Sequence, residues 1–511
     1  MATHRYNMPG YNYAHAWAGW SPASPFSHSP SLRLHFRFLL CQDRIMHSLS
    51  TLVTVALLGC SCLVSAIPTI STKGKKFYDS NGDQFYLKGI AYQRTPEDPL
   101  LDANQCELDF ELMASIGTNV IRVYHVDPTQ SHTDCMSILE KNNIYLLLDL
   151  DTFTTQINQS DPTWTGAQYA GWQSVMDEFA QYDNLLGYFS GNEVITTADG
   201  SPSAPYIKAS IRDAKAYLKE KSYREVPVGY AAADIAQLRP MLQDYLACDD
   251  VASSNSSLDF FGLNIYEWCQ ASDTFTTSGY SARTSEFADY PIPAFFSEFG
   301  CNVVQPRTFA DIPVLYGDAM TDVWSGGLVY EWIQETNDYG LISYPTPATP
   351  YGTYGSPTPL SDFYALSSQW ASISPSSTPI LSYSPTITSI ACPASTSGAW
   401  DVDPSASLPD TPASSDIQAA KDRLSLTWAV ADGRTTAVIP PLSTSTSTSS
   451  ASGSGAAKAS GSGAAASETS ASTTADAKTA ASGAVGGQRS WSAVVIAGSV
   501  VMGLLSVVPM V

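Results

Sequence analysis

Positive charge is scarce in this chain: 511 residues hold 26 lysines and arginines against 48 aspartates and glutamates, a formal net charge of -22. A surface of that sign repels nucleic acid and anionic lipid surfaces, so no nucleic-acid partner is expected. Histidine is scarcer still. Of seven, His4, His15, His28, His35 and His47 precede residue 66, which leaves His125 and His132 and gives no support for a metal site. A glycine-rich phosphate loop is missing after the first strand pattern, so no nucleotide or other cofactor is expected. Charged residues are only 14% of the chain, while aromatics are 11%. A neutral polymer such as a polysaccharide is neither drawn nor repelled by such a field.

Both ends are biased in composition, so one sizeable domain is expected from the middle. Read from Met46, a signal peptide emerges at residues 46–66: residues 49–64 are largely apolar, and Val64-Ser65-Ala66 supplies the small residues of a cleavage site. Residues 1–45 show no periodic pattern and are read as a non-native upstream extension. At the far end, residues 494–511 are apolar and uncharged. With small residues near 482–484 and a spacer holding Gln488 and Arg489, residues 485–511 fit a glycosylphosphatidylinositol anchor signal. Residues 394–484 are rich in Ser, Thr, Ala and Gly and are expected to form a disordered stalk. The chain is therefore expected to be secreted and held at the outer face of the plasma membrane by a lipid, and to be monomeric.

Removal of the leader leaves six cysteines, Cys106, Cys135, Cys248, Cys269, Cys301 and Cys392. In a secreted chain these imply three disulfides, which six cysteines can form in fifteen ways. Asn158 and Asn255 begin acceptor motifs for N-glycans.

From residue 77 to about 332, strand-like runs alternate with helical periods, the signature of parallel strands joined by crossover helices. Eight runs qualify: 85–92, 119–126, 144–150, 185–190, 226–231, 259–266, 294–299 and 327–332. Between them, Leu108, Leu112, Met113 and Ile116, closed by Gly117, and Tyr169, Trp172, Val175, Met176 and Phe179 recur at helical spacing. Eight repeats favour closure into a (β/α)8 TIM barrel over residues 67–393, whose last part straps back onto the barrel.

Barrels of this kind place their chemistry at strand C-termini. Gly191-Asn192-Glu193 follows the fourth run, and Ser297-Glu298-Phe299-Gly300 closes the seventh, so Glu193 and Glu298 would face one mouth. A single glutamate at a strand end is more often a surface or ion-paired group. Paired on strands four and seven, with Asn192 before the first, they suit glycoside cleavage with retention, which needs a proton donor and a nucleophile roughly 5 to 5.5 Å apart. Glu193 must then start protonated and Glu298 ionised. Unequal burial and like-charge repulsion would separate their pKa values.

Five segments in order carry a resemblance: Leu87-Lys88-Gly89-Ile90-Ala91-Tyr92-Gln93, Ile121-Arg122-Val123-Tyr124, Gly191-Asn192-Glu193-Val194, Asn264-Ile265-Tyr266-Glu267-Trp268-Cys269 and Phe296-Ser297-Glu298-Phe299-Gly300-Cys301. Over about residues 69–392 the chain resembles the fungal β-1,3-glucanosyltransferases of glycoside hydrolase family 72, lipid-anchored enzymes of the cell wall. The resemblance implies that Glu193 is the acid/base and Glu298 the nucleophile, acting on β-1,3-glucan donor and acceptor chains. It places Gln93, Tyr124, Asp149, Asn192, Tyr266 and Tyr330 around the sugar that is cut, with Asp151 a competitor for the role of Asp149. It also implies the pairs Cys106 with Cys135, Cys248 with Cys392 and Cys269 with Cys301. Phe299 and Trp332-Ile333 depart from many relatives, which have Tyr and Tyr-Phe there. No cysteine follows Cys392, so the cysteine-rich carbohydrate-binding module of some relatives is expected to be absent. The alternatives are a retaining endo-β-1,3-glucanase on the same barrel, and a non-catalytic wall adhesin or scaffold.

Overall fold

The computed structural model describes residues 66–431 except 95–97, 153, 249–254, 346–354 and 387–388, with backbone alone for 425–431. The expected extension, the signal peptide before Ala66, the anchor signal and most of the expected stalk lie outside the described residues.

Three short strands come first in an antiparallel sheet: β1 (Ile70–Lys73), β2 (Lys76–Asp79) and β3 (Gln84–Phe85). Eight parallel strands then close a barrel. They are β4 (Leu87–Ala91), β5 (Val120–Val123), β6 (Tyr145–Asp149), β7 (Leu185–Asn192), β8 (Val228–Ala233), β9 (Phe260–Ile265), β10 (Ala294–Phe299) and β11 (Trp324–Val329), the last pairing with β4. The crossover helices include α1 (Ala103–Ser115), α2 (Thr133–Lys141), α3 (Gly166–Phe179), α4 (Ala204–Glu220), α5 (Arg239–Ala247), α6 (Tyr280–Glu286) and α7 (Ile312–Leu315). Strands β5, β6, β9, β10 and β11 are buried at every residue. That follows from helices covering their outer face while side chains fill the inner one, and it is why these strands read as continuous apolar runs.

Two apolar layers result. The outer one lies between strands and helices and includes Phe110, Trp172, Phe261 and Trp324. The inner one fills the lower barrel with Leu147, Phe189, Phe260 and Phe295, and Phe77 of β2 reaches in from below. The Phe77 ring stands 6.0 Å from Phe260 and 5.9 Å from Phe295, so the N-terminal sheet seals the barrel floor. Nothing in the short strands β1 to β3 carries a long enough pattern to have been expected. The opposite end stays polar and open.

The structure departs from the sequence reading in two places. The eighth barrel strand runs from Trp324 to Val329, earlier than the expected 327–332, and Gly326-Gly327 lies inside it where the packing is close. A Cβ on Gly326 would stand 2.3 Å from the Leu87 carbonyl oxygen, and one on Gly327 would stand 2.9 Å from the Phe296 Cβ. Tyr330 consequently falls just past the strand, at the mouth.

The second departure concerns the stalk, expected to begin at residue 394. Thr396 bridges Trp400, Trp400 is fully buried with its ring 5.7 Å from Tyr245, and Val402 is buried beside it. Thr411 Oγ1 donates to Asp213 Oδ1 at 2.7 Å, and the helix α9 (Ser414–Ala431) lies along α3. Gly166, the first residue of α3, permits this approach: a Cβ there would be 2.7 Å from the Asp416 carbonyl carbon. A few apolar residues in a small-residue background suffice to dock the segment, because its start is already fixed by the disulfide at Cys392. Before it, α8 (Ser361–Ser372) forms the expected strap, burying Phe363, Leu366 and Trp370. Replacing Trp400 by Ala is expected to destabilise the protein by about 3 to 5 kcal/mol, read as a lower urea midpoint; an unstructured stalk from residue 394 would leave the midpoint unchanged.

Candidate active site

Strands β7 and β10 both lose regular register near their C-terminal ends. Against β8, the pairing of β7 slips between Phe189 and Asn192; against β9, that of β10 slips between Phe296 and Glu298. Such bulges re-aim side chains. On β10 the consecutive residues Ser297 and Glu298 thereby both reach groups inside the mouth: Ser297 Oγ donates to Asn264 Oδ1 at 2.7 Å, and Glu298 meets the tyrosines described below. On β7 the bulge leads into Glu193, whose φ of 48° is unusual for a side chain with a Cβ. Its backbone N–H donates to Ala231 O at 2.9 Å, which holds this strained conformation at the strand end.

Glu298 is buried and well supplied with donors. Tyr124 Oη donates to Oε1 at 2.9 Å, Tyr266 Oη donates to Oε2 at 2.8 Å, and Arg122 Nη1 lies 3.5 Å from Oε1. Glu193 is half-buried and accepts from Asn264 Nδ2 at 2.9 Å. Asn264 Nδ2 also donates to Asn192 Oδ1 at 3.1 Å, as does Arg122 Nη2 at 3.1 Å. With its oxygen thus engaged, Asn192 keeps its amide nitrogen for a donor role. The two glutamates therefore share one hydrogen-bonded cluster at the barrel mouth.

Burial pushes Glu298 up to about 7; Arg122 opposes the rise, the Glu193 charge adds to it, and the two tyrosine hydroxyls pull back. Burial alone thus works against the expected ionised state. Against that, Glu298 has two hydroxyl donors and a guanidinium close by to receive negative charge.

The other expected residues divide. Gln93 Oε1 accepts from the Tyr124 N–H at 2.9 Å and the His125 N–H at 3.3 Å, which fixes the turn after β5. Tyr330 is half-buried and stands edge-on to Tyr339, with ring centroids 5.3 Å apart. Asp149 takes Arg122 Nε at 2.9 Å on one oxygen and Nη2 at 2.8 Å on the other, and is the counter-ion of this buried guanidinium. Asp151 is half-buried, and burial together with the Asp149 charge pushes it up to about 7. The structure pairs Cys106 with Cys135, Cys248 with Cys392 and Cys269 with Cys301, and leaves Asn158 and Asn255 exposed.

Sequence reasoning gave no role to Arg122, Asn264, Glu331 or Tyr339. Arg122 had a signal, an arginine inside an apolar strand run, which must be ion-paired to be buried. Its guanidinium lies over the Phe189 ring at 4.1 Å and the Tyr124 ring at 4.3 Å. Glu331 is a third buried carboxyl beside the mouth; Asn337 Nδ2 donates to it at 2.7 Å, and burial pushes it up to about 8.

A closed (β/α)8 barrel with two convergent glutamates on different strands has the architecture of the barrel enzymes that act on glycosides. The glucanosyltransferase family, glycoside hydrolase family 72, matches residues 60–374, and the chain belongs to it. It is 43% identical over 375 residues to the 1,3-beta-glucanosyltransferase gas2 of Schizosaccharomyces pombe, covering 71% of this chain and 80% of that one. Its identity to the 1,3-beta-glucanosyltransferase GAS2 of Saccharomyces cerevisiae is 40% over 367 residues, covering 68% of this chain and 63% of the relative. Among solved structures, Saccharomyces cerevisiae Gas2p in complex with laminaritriose and laminaritetraose superposes with a TM-score of 0.64 at 40% identity, over 69% of this chain and 79% of that one. A mutant of the same protein in complex with laminaritetraose and laminaripentaose gives 0.63, over 68% and 76%.

The buried acids also set a pH dependence of stability. Glu298 and Asp151 near 7, Glu331 near 8, and Asp109, Asp244 and Asp311 near 6 are all raised chiefly by burial. Between about pH 4, where unfolded carboxylates titrate, and pH 8 the folded chain thus holds more protons than the unfolded one, so stability falls as pH rises. His132, raised by Asp98 and Glu178 against its burial, acts in the same direction; His125, which burial lowers to about 4, opposes it. The carboxylates outnumber it, and the thermal midpoint is expected to be lower at pH 8 than at pH 5 by calorimetry. A higher midpoint at pH 8 would contradict this account.

Proposed function

We propose that this protein cleaves β-1,3-glucan with Glu298 as nucleophile and Glu193 as acid/base, and transfers the released glycosyl chain to a second glucan, elongating wall glucan. The observation that carries the reading is the donor set on Glu298, two tyrosine hydroxyls and a buried guanidinium, facing a second glutamate held by Asn264. Membership in the glucanosyltransferase family and the laminari-oligosaccharides bound by solved relatives support the substrate class.

In the first step a Glu298 oxygen attacks the anomeric carbon, the glycosidic bond breaks, and the proton of Glu193 goes to the leaving 3-oxygen. Tyr124 and Tyr266 fix the two Glu298 oxygens so that one is presented to the sugar. Asn192, oriented by Arg122 and Asn264, hydrogen-bonds the sugar 2-OH, a contact that strengthens as oxocarbenium character develops. In the second step Glu193, now ionised, removes the proton of an incoming hydroxyl, whose oxygen displaces Glu298 from the anomeric carbon. When that hydroxyl is a glucan 3-OH the outcome is transfer; when it is water the outcome is hydrolysis. Holding the acceptor chain in place raises its effective concentration against water.

The leader and tail composition supports a location outside the cell with a glycosylphosphatidylinositol anchor in the plasma membrane; in this reading the enzyme is a monomer with glycans at Asn158 and Asn255.

Incubation with a reduced laminari-oligosaccharide of defined length is expected to give products longer than the substrate; only shorter products would leave hydrolysis as the activity. Glu298→Gln and Glu193→Gln are each expected to lower the transfer rate by roughly 10³-fold or more without loss of folding.

A further inference from the structure

Arg307 is carried by no strand or helix, yet it is only 3% exposed. Its Nε donates to Asp362 Oδ2 at 2.7 Å, and Asp362 is itself buried on the strap helix α8. The remaining donors go to the main chain. Nη1 donates to Tyr330 O at 2.7 Å and to Gly300 O at 3.1 Å, and Nη2 donates to Tyr339 O at 2.5 Å. These three carbonyls belong to different parts of the mouth. Gly300 follows β10 two residues after Glu298, Tyr330 directly follows β11, and Tyr339 lies on the loop beyond. Gly300 has φ +111°, and a Cβ there would stand 3.1 Å from Arg307 Nη1, so only glycine lets the guanidinium approach this carbonyl without strain.

What the guanidinium holds is a wall of aromatic rings. Tyr339 stands edge-on to Tyr266 at 5.7 Å and to Tyr330 at 5.3 Å, and Tyr266 Oη is the donor to Glu298 Oε2. The three rings thus run outward from Glu298, and two of them have their backbone tied by Arg307 to the strand end that carries Glu298. A planar fork with fixed donor directions can hold three carbonyls and a carboxylate together; a lysine ammonium cannot reproduce that geometry.

We propose that Arg307, held by Asp362, is a positioning residue that sets the Tyr266, Tyr339 and Tyr330 wall relative to Glu298 and thereby the fit of a glucan chain in the mouth. This rests on the reading of the site as a glucanosyltransferase centre. Because no atom of Arg307 bonds Glu193, Glu298 or their direct hydrogen-bond donors, its removal acts mainly on how the chain is held and less on the chemical step.

The test is a kinetic comparison of Arg307→Gln, Arg307→Lys and Asp362→Asn in the full chain, on a reduced laminari-oligosaccharide, with kcat expressed per folded molecule. Arg307→Gln is expected to raise KM by about tenfold or more while kcat falls by less than about threefold, and Arg307→Lys to lie between it and the wild type. Asp362→Asn, which keeps the side chain's shape, is expected to move KM in the same direction and carries the comparison if Arg307→Gln does not fold. A wild-type KM in both Arg307→Gln and Asp362→Asn, or a loss of activity that vanishes once expressed per folded molecule, overturns the proposal. Glu298→Gln run alongside separates the two levels: full activity in that variant sinks the reading of the site, whereas its inactivity beside a wild-type KM in Arg307→Gln sinks the positioning role alone.

Discussion

A guanidinium with no exposure to water sits at the centre of this barrel, and the arrangement of the mouth follows from the need to satisfy it. Arg122 is answered by both oxygens of Asp149, lies on the Phe189 ring, donates to Asn192 and faces Glu298. Breaking such a buried pair by removing one partner typically costs about 3 to 5 kcal/mol, because the other charge is left uncompensated. The same charge opposes the rise that burial imposes on Glu298. One ion pair thus joins the apolar floor of the barrel to the polar groups of the mouth.

The vertical order of the barrel explains why the chemistry is confined to one end. Below, Phe77, Phe189, Phe260 and Phe295 pack ring on ring and exclude water. Above them Arg122, Asp149 and Asn264 form a polar tier, and above that tier stand the two glutamates and the tyrosines. The disulfide Cys269–Cys301 links the segments that follow Tyr266 and Glu298, and so ties together the ends of β9 and β10 where both groups arise. Bulges at the ends of β7 and β10 then turn the glutamates into the mouth.

The barrel was legible because its strands are buried on both faces and therefore appear as continuous apolar runs between helical periods. The meeting of Glu193 and Glu298 at one mouth was legible because Glu193 follows such a run and Glu298 stands at the end of another. The bulges were not, since a register slip leaves no mark in composition, nor was the ion pair in which Arg122, on the neighbouring strand, takes both oxygens of Asp149. The folded extent of the chain was underestimated for a related reason. Trp400, Val402 and Ala420 are too sparse in residues 394–431 to register as a core-forming pattern, yet each is buried against a barrel that already exists. The floor sheet escaped notice because strands of two to four residues carry no period of their own.

The proposed mechanism requires that Glu298, and not Glu193, becomes bonded to the sugar. A laminari-oligosaccharide bearing fluorine at C2 and a reactive leaving group at C1 slows release of the glycosyl-enzyme more than its formation, so the ester accumulates and its peptide can be identified by mass spectrometry. A label on Glu298 is the predicted result. A label on Glu193, or turnover of the reagent with no covalent adduct, would contradict the central claim.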